Sequence, residues 1–216
     1  MLNSIFPKIH KEGYKFLAIS IIVTFFCLLV SKTLGIILIL ISIWVYYFFR
    51  DPERISVGED KFLVSPADGL ISNISETKGP IELGLENKSF TKVSIFMNVF
   101  NCHVNRIPTS GIVEEILYKP GKFLNASLDK ASEENERNYY KIKCKDNNQE
   151  ILIVQIAGLI ARRIVCETTE GQSLNQGDRI GMIRFGSRVD VYFNNRKLLA
   201  KLGQNVVAGE SLIAVE

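Results

Sequence analysis

The chain has 216 residues, which is enough for one domain and an additional anchoring segment. Its formal net charge is +3, and residues 1–54 hold the whole excess, with six Lys or Arg side chains against three Asp or Glu. The remaining residues carry 20 charges of each sign and sum to zero. A neutral body excludes a nucleic-acid-binding surface, because such a surface needs a basic face.

Two apolar runs open the chain. Residues 16–30 and 34–49 are uncharged and are separated by Ser-Lys-Thr. As helices they would each span roughly 22–24 Å, somewhat short of a ~30 Å hydrocarbon core. Trp44, Tyr46 and Tyr47 suit the interface between membrane and water. We therefore predict a membrane-associating hydrophobic hairpin over residues 1–54, and the alternative is a helical hairpin buried in a soluble core.

The basic residues predict the orientation of this hairpin. They lie on the outer side of both apolar runs, and only Lys32 stands between them. If both runs cross the bilayer, both ends face the cytoplasm, and if neither crosses, the pair dips in from the cytoplasmic face. Either arrangement predicts that residues 55–216 lie in the cytoplasm.

After "FFRDPER" (48–54) the pattern changes to short β-type runs separated by turn residues. The polar stretch 125–138 predicts a loop with a helical turn, and 158–164 fits either a strand or a helix. The predicted fold class is mostly β with few helices. The predicted strands are 62–65, 70–75, 92–100, 112–117, 139–144, 151–157, 163–167, 179–185, 188–193 and 211–215.

Two passages, "VSPADGLISNI" and "LGQNVVAGESLIAVE", resemble the turn-rich strands of barrel-sandwich, lipoyl-type domains. Carrier domains of that kind present a lysine in a Met-Lys-Met tripeptide, which does not occur in this sequence. The resemblance therefore implies a similar β fold without carrier function. The four cysteines, Cys27, Cys102, Cys144 and Cys166, form no metal-ligand spacing, and we expect reduced thiols and no metal.

Three residues of the β body could carry chemistry together. Ser187 in "RFGSRVD" (184–190) lacks the second glycine of a hydrolase nucleophile turn and is followed by a strand pattern. His103 is the only histidine beyond residue 54, and Asp68 lies in "SPADG", which also reads as a turn. A serine, a base and a carboxylate are the set that activates a hydroxyl. The nearest electrophile for Ser187 is the carbonyl group of Gly186.

Six segments of the chain carry a resemblance to a known family: "FFRDPER", "SPADG", "CHVNRIP", "PGKFLNASLDKASEENERN", "QIAGLIARRIVC" and "GDRIGMIRFGSRVDVYF". With them, nearly the whole chain resembles the phosphatidylserine decarboxylase family, in its short prokaryotic form. The resemblance implies a proenzyme that cuts itself between Gly186 and Ser187 into a β chain (1–186) and an α chain (187–216). Ser187 would become a covalent pyruvoyl group, the only cofactor, without metal or pyridoxal phosphate. A Schiff base between this group and phosphatidylserine would release carbon dioxide and leave phosphatidylethanolamine.

The resemblance also implies residue roles: Asp68 orients His103, and His103 activates Ser187. Longer bacterial members have a second histidine three residues after the first, where this chain has Arg106, and Asn101 stands where an acid is common. The group that protonates the product carbanion is therefore left open. Predicted binders of the substrate carboxylate or phosphate are Arg106, Arg162 and Arg163, for which ordinary surface charge is the alternative.

Two other functions fit the same residues. One is a membrane-anchored hydrolase that uses an intact Ser187 with His103 and Asp68. The other is a non-enzymatic barrel-sandwich adaptor tethered to the membrane. The decarboxylase interpretation predicts as partners phosphatidylserine, the lipid bilayer, and the two cleaved chains bound to each other as a heterodimer. It predicts no nucleic acid, and it leaves open whether copies of the chain associate.

Overall fold

The computed structural model describes residues 7–125, 131–159, 161, 163–185 and 187–216, with residues 131 and 132 described by their backbone only. The chain divides into two compact units, Met1–Glu53 and Arg54–Glu216, called here the helical unit and the β unit. The helical unit contains α1 (Gly13–Val30) and α2 (Lys32–Phe48). The helical character predicted for the two apolar runs is confirmed.

The helices of the helical unit pack against each other and leave most of their apolar surface exposed. Gly35 lies so close to Leu28 that a Cβ atom there would collide with the leucine side chain. The hydroxyl oxygens of Thr24 and Ser42 are 3.1 Å apart. Only 11% of α1 is buried, although this helix is long and apolar enough to cross a membrane, whereas α2 is shorter. The alternative of a buried soluble core is therefore disfavoured, and α1 indicates membrane association.

The two ends of the helical unit lie side by side. Ile9 and Arg50 form an isolated β-bridge. The His10 backbone N–H donates a hydrogen bond to the Phe49 carbonyl at 2.8 Å. Lys8 and Arg50 are thus at the same end of the helix pair, whereas Lys32 lies at the turn.

The β unit is built from antiparallel strands in three sheets. The large sheet has the order β13-β2-β3-β11-β7-β6-β5-β9, the small sheet β4-β10-β8, and a third sheet β1-β14-β12. The strands are β1 (Phe62–Val64), β2 (Gly69–Lys78), β3 (Ser89–Met97), β4 (Val104–Arg106), β5 (Gly111–Lys119), β6 (Arg137–Cys144), β7 (Glu150–Ala157), β8 (Arg163–Cys166), β9 (Ser173–Leu174), β10 (Arg179–Arg184), β11 (Ser187–Phe193), β12 (Lys197–Leu198), β13 (Asn205–Val206) and β14 (Leu212–Val215). A 3-10 turn (Ile81–Leu83) and the four-residue helix α3 (Ala131–Glu134) complete the unit.

The mostly β fold class predicted from the sequence is confirmed, with two differences in detail. The predicted strand 92–100 ends at Met97, because Asn98 begins a turn there. The Asn98 side chain accepts a hydrogen bond from the Phe100 N–H, and the Asn98 N–H donates to the Asn101 side chain. The sequence did not predict four strands of two or three residues, β4, β9, β12 and β13. The described part of 158–164 contains the start of β8 and no helix.

One face of the large sheet carries the main hydrophobic core. Alternate residues of β11, namely Val189, Val191 and Phe193, point into this core and are fully buried. Ile95 and Val93 of β3 join them on one side, and residues of β7 join them on the other. Burial of these side chains is the main contribution to the stability of the unit. Ser187 continues the same alternation at the start of β11.

Candidate active site

Ser187 is the first residue of β11 and lies between the last residues of two neighbouring strands. It pairs with Met97 of β3 and with Ala157 of β7. Its side chain is completely buried, and no hydrogen-bond partner for its Oγ occurs among the described residues. Phe185, two residues earlier, has φ of 66°, a left-handed conformation that is uncommon without glycine. Gly186 lies outside the described residues.

The core face of the large sheet becomes polar at the end that carries Ser187. Directly paired residues on antiparallel strands present their side chains on the same face. Two rows of paired residues at the Ser187 end therefore lie on the face of the hydrophobic core, and they are called here the polar rows. One row is Met97, Ser187, Ala157 and Glu136, and the other is Ile95, Val189, Gln155 and Asn138.

His103 lies just before β4 and is fully buried. Its Nδ1 is 3.0 Å from the Asn101 carbonyl oxygen. A carbonyl oxygen only accepts hydrogen bonds, so Nδ1 carries a proton in this contact. In the neutral ring Nε2 is then the basic nitrogen. His103 thus has the tautomer that a general base needs.

Strand alternation directs His103 toward the polar rows. Asn105, two residues later, points at the large sheet: its Nδ2 donates to the Met97 Sδ at 3.6 Å, and its Oδ1 accepts from Gln155 Nε2 at 2.8 Å. Residues i and i+2 of an extended segment lie on the same face. The Ile183 N–H also donates to the His103 carbonyl at 3.3 Å, which ties the segment to β10. By this alternation we expect the His103 ring to lie on the side of the polar rows.

Asp68 precedes β2 at the same end of the large sheet. Its Oδ2 accepts a hydrogen bond from Arg54 Nη2 at 2.8 Å, and its Oδ1 accepts one from the Ala208 N–H at 2.8 Å. Both contacts are charge-assisted hydrogen bonds that fix the carboxylate. The His103 Nδ1 contacts the Asn101 carbonyl, and the orienting role of Asp68 stays a prediction.

The three predicted substrate-binding arginines lie in different surroundings. Arg106 is buried, and its Nη1 donates a hydrogen bond to the Gly177 carbonyl at 2.7 Å. Arg163 is exposed at the start of β8, where it pairs with Arg184 of β10. Arg162 lies outside the described residues. Arg163 is therefore the more accessible of the two that are described.

A buried amide network was missed by sequence reasoning. Tyr140 donates its hydroxyl hydrogen to Gln155 Oε1 at 2.9 Å or to the Ile180 carbonyl at 3.1 Å. Asn138 also reaches Gln155 Oε1, and Gln155 in turn holds Asn105. Burial raises the pKa of Tyr140 well above its ordinary value, so the hydroxyl remains protonated. The signal in the sequence was a lone glutamine inside the apolar run "ILIVQIA".

A second missed residue is Asn135, which is fully buried beside Ala157. Its Nδ2 donates to the Ala157 carbonyl at 2.7 Å and to the Leu124 carbonyl at 2.8 Å. Its Oδ1 accepts from the Leu124 N–H at 2.9 Å. Asn135 thus fastens the segment before the polar stretch to the residue that pairs with Ser187.

No metal centre is found in the part of the chain that the structure describes, where no three His, Cys, Asp or Glu side chains could hold an ion together. None of the four cysteines forms a disulfide. A serine hydroxyl and an imidazole are the groups that proton transfer and attack on a carbonyl carbon need.

Comparison with known proteins gives one consistent result. The family model described as phosphatidylserine decarboxylase matches residues 41–214. The phosphatidylserine decarboxylase proenzyme of Pelagibacter ubique is 66% identical over 214 residues, which cover 99% of each chain. The proenzyme of Ruegeria pomeroyi is 48% identical over 99% of this chain and 98% of its own. That of Cereibacter sphaeroides is 50% identical, over 99% and 92%.

Proposed function

The chain belongs to the phosphatidylserine decarboxylase family, and from this premise we propose that it matures by cutting its own backbone between Gly186 and Ser187. Its activity is the decarboxylation of phosphatidylserine to phosphatidylethanolamine. The relatives are named proenzymes, which supports self-processing. The position of the cut, the residue roles and the pyruvoyl group are the proposal.

The cut begins at the Ser187 hydroxyl. His103 Nε2 takes the hydroxyl proton while Oγ attacks the Gly186 carbonyl carbon, and the peptide C–N bond breaks to leave an ester. Removal of the Ser187 α-proton then breaks the Cβ–Oγ bond and releases Gly186 as a carboxylate. Water replaces the nitrogen, which departs as ammonia. The new N-terminus at position 187 is then a pyruvoyl group.

One observation carries this proposal: the Ser187 hydroxyl, next to the proposed cut, is completely buried and has no hydrogen-bond partner among the described residues. A buried hydroxyl without a partner is unfavourable, and such groups are typical of catalytic positions. The left-handed backbone of Phe185 supports a strained turn before the proposed cut.

The residues around position 187 fit a pyruvoyl group, which supplies an electron sink for the bond that breaks when carbon dioxide departs. The surrounding side chains are uncharged or buried, and they exclude water from the reacting position. We propose that Arg163, Arg162 or Arg106 holds the substrate carboxylate or phosphate. We propose that Asp68, whose carboxylate is fixed by Arg54 and by the Ala208 N–H, orients His103.

The two products would remain associated after the cut. Residues 187–216 contain β11, which lies between β3 and β7 in the middle of the large sheet. They also contain β13, paired with β2, and β14, paired with β1. These ladders join the small chain to the large one without the peptide bond at position 186. A stable heterodimer is the expected mature form.

We further propose that the protein lies at the cytoplasmic face of a bacterial inner membrane. The observation behind this is the exposed apolar surface of α1, with Lys8 and Arg50 together at one end of the helical unit. A chain that starts at Arg54 is expected to stay in the soluble fraction, whereas the full chain sediments with vesicles. Equal partition of the two chains would contradict the proposal.

A denaturing gel tests the central proposal against the alternative functions. The wild-type protein is expected to run as a large and a small fragment, and Ser187→Ala as one chain. A hydrolase or an adaptor would remain a single intact chain. A wild-type chain that is active on phosphatidylserine yet uncut would refute self-cleavage.

A further inference from the structure

Glu136 lies in the same cross-strand row as Ser187. Its carbonyl oxygen accepts a hydrogen bond from the Ala157 N–H at 2.9 Å, and Ala157 pairs directly with Ser187. By strand alternation its side chain shares the face of Ser187. The two residues are two strands apart, which corresponds to about 10 Å between their Cα atoms.

The Glu136 carboxylate reaches across to the small sheet. Its Oε1 accepts a hydrogen bond from the Ile164 N–H at 3.2 Å. Ile164 pairs with Ile183 of β10, and the Ile183 N–H donates to the His103 carbonyl. The Ile164–Ile183 pair of the small sheet thus contacts the Glu136 carboxylate through Ile164 and the His103 backbone through Ile183.

The charge of Glu136 is unusual for its surroundings. The other polar side chains of the cluster are neutral amides, Asn105, Asn138 and Gln155, all of them buried. Glu136 is only 7% exposed, and a buried carboxylate costs more than an amide. A glutamine could accept the same hydrogen bond from the Ile164 N–H. The hydrogen bond to the Ile164 N–H alone therefore does not explain why this position is acidic.

The neighbours of the carboxylate are consistent with a charged group. Burial, followed by the negative charge of Glu136 and a hydrogen bond to it, raises the pKa of Tyr118, while Arg163 opposes the shift. Tyr118 is 53% exposed, so this side of the cluster borders solvent. Glu136 is thus a buried carboxylate between an exposed tyrosine and the row of Ser187.

We propose that Glu136 is a positioning residue whose negative charge stabilises the positive charge that forms on His103 and on the leaving nitrogen during self-cleavage. The inference rests on the proposed cut between Gly186 and Ser187. The proton passes from Ser187 Oγ to His103, which becomes cationic, and then to the nitrogen as the C–N bond breaks. A negative charge about 10 Å from the Ser187 nitrogen in a partly buried site accelerates such a step about tenfold.

The test measures the rate of self-cleavage after cell-free synthesis of the full chain. Glu136→Gln keeps the size and the acceptor for the Ile164 N–H but removes the charge, so we expect about tenfold slower cleavage with an unchanged Tm. The matched control is Glu134→Gln, which removes an exposed carboxylate two residues away that pairs with Lys122. This control is expected to cleave at the wild-type rate.

A second variant separates the charge from the hydrogen bond. Glu136→Ala leaves a small space, and added formate should restore its cleavage rate, whereas formamide, a neutral acceptor of similar size, should not. Equal rescue by formate and formamide would overturn the proposal, and so would a wild-type rate for Glu136→Gln. Ser187→Ala serves as the reference. If that variant is still cut, the cleavage site itself is wrong, and if it stays intact while Glu136→Gln is normal, only the role of Glu136 fails.

Discussion

The core face of the large sheet has an apolar end and a polar end. At one end, Val191, Val93 and Ile153 are fully buried apolar side chains in paired positions. At the other end, the polar rows contain Ser187 and Gln155, whose side chains are buried just as completely. Hydrophobic burial explains the first end, whereas burial of polar groups costs free energy even when they are hydrogen-bonded. Stability therefore does not explain the second end, whereas the proposed self-cleavage does.

The comparison predicts that substitutions at the two ends have separable effects. At the polar end they should slow self-cleavage, and at the apolar end they should lower the free energy of unfolding without changing the chemistry. Unfolding is best measured in the Ser187→Ala chain, because it remains a single polypeptide. A variant at either end that changed the self-cleavage rate and the free energy of unfolding in proportion would contradict this separation of the two ends.

Ser187→Ala is expected to have the largest effect on self-cleavage. The substitution removes the attacking oxygen, so no cleavage should occur, and the gel should show one chain of full length. The matched control is Ser94→Ala, which removes another buried hydroxyl that lacks a described partner, on the opposite face of the sheet. Cleavage of Ser94→Ala should be normal, and its loss would show that any buried serine of this sheet matters.

His103→Ala is expected to slow self-cleavage by roughly 10²–10⁴-fold, because general-base catalysis contributes about that much. A time course of the full-length band measures the rate. His10→Ala is the control, since His10 belongs to the helical unit. Cleavage of His103→Ala at the wild-type rate would assign the base to another group.

At the apolar end, Ile153→Ala should lower the free energy of unfolding by about 2–5 kcal/mol, since Ile153 is fully buried and its truncation leaves a cavity. The folded fraction should still cleave at the normal rate. Chemical denaturation in the Ser187→Ala background gives the stability. Slow self-cleavage of folded Ile153→Ala would mean that core packing affects the reacting groups.

Tyr140 lies at the border of the polar and apolar ends, and Tyr140→Phe should have the smallest effect on the free energy of unfolding. The Tyr140 hydroxyl contacts Gln155 and the Ile180 carbonyl, and its loss should cost about 1–3 kcal/mol of unfolding free energy. Self-cleavage should slow only modestly, because Gln155 still holds Asn105. An effect as large as that of His103→Ala would contradict this ranking and give the hydroxyl a direct part in the reaction.

Local patterns predicted much of this molecule. The alternation of apolar and polar residues in "RVDVYF" predicts β11, and the position of Ser187 at its start follows from the same pattern. The strands of two or three residues could not be predicted, since such a length shows no periodicity. The contact of Asp68 with Arg54 joins separate segments, so it was missed as well.

The polar rows show why the rest of the site could not be predicted from the sequence. Glu136 and Gln155 share a face with Ser187 only through the register of β6, β7 and β11, and register depends on long-range pairing. In the sequence they read as a charged loop residue and an interruption of an apolar run. Gly186 and Arg162, which were predicted, lie outside the described residues.

The mass of the small fragment tests the central claim most directly. The account predicts a fragment of residues 187–216 that is lighter than the unmodified peptide by one ammonia, because position 187 carries a pyruvoyl group in place of serine. It should appear together with carbon dioxide release from phosphatidylserine and be absent from Ser187→Ala. A preparation that releases carbon dioxide while its fragment begins with unmodified serine, or while its chain remains uncut, would contradict the account.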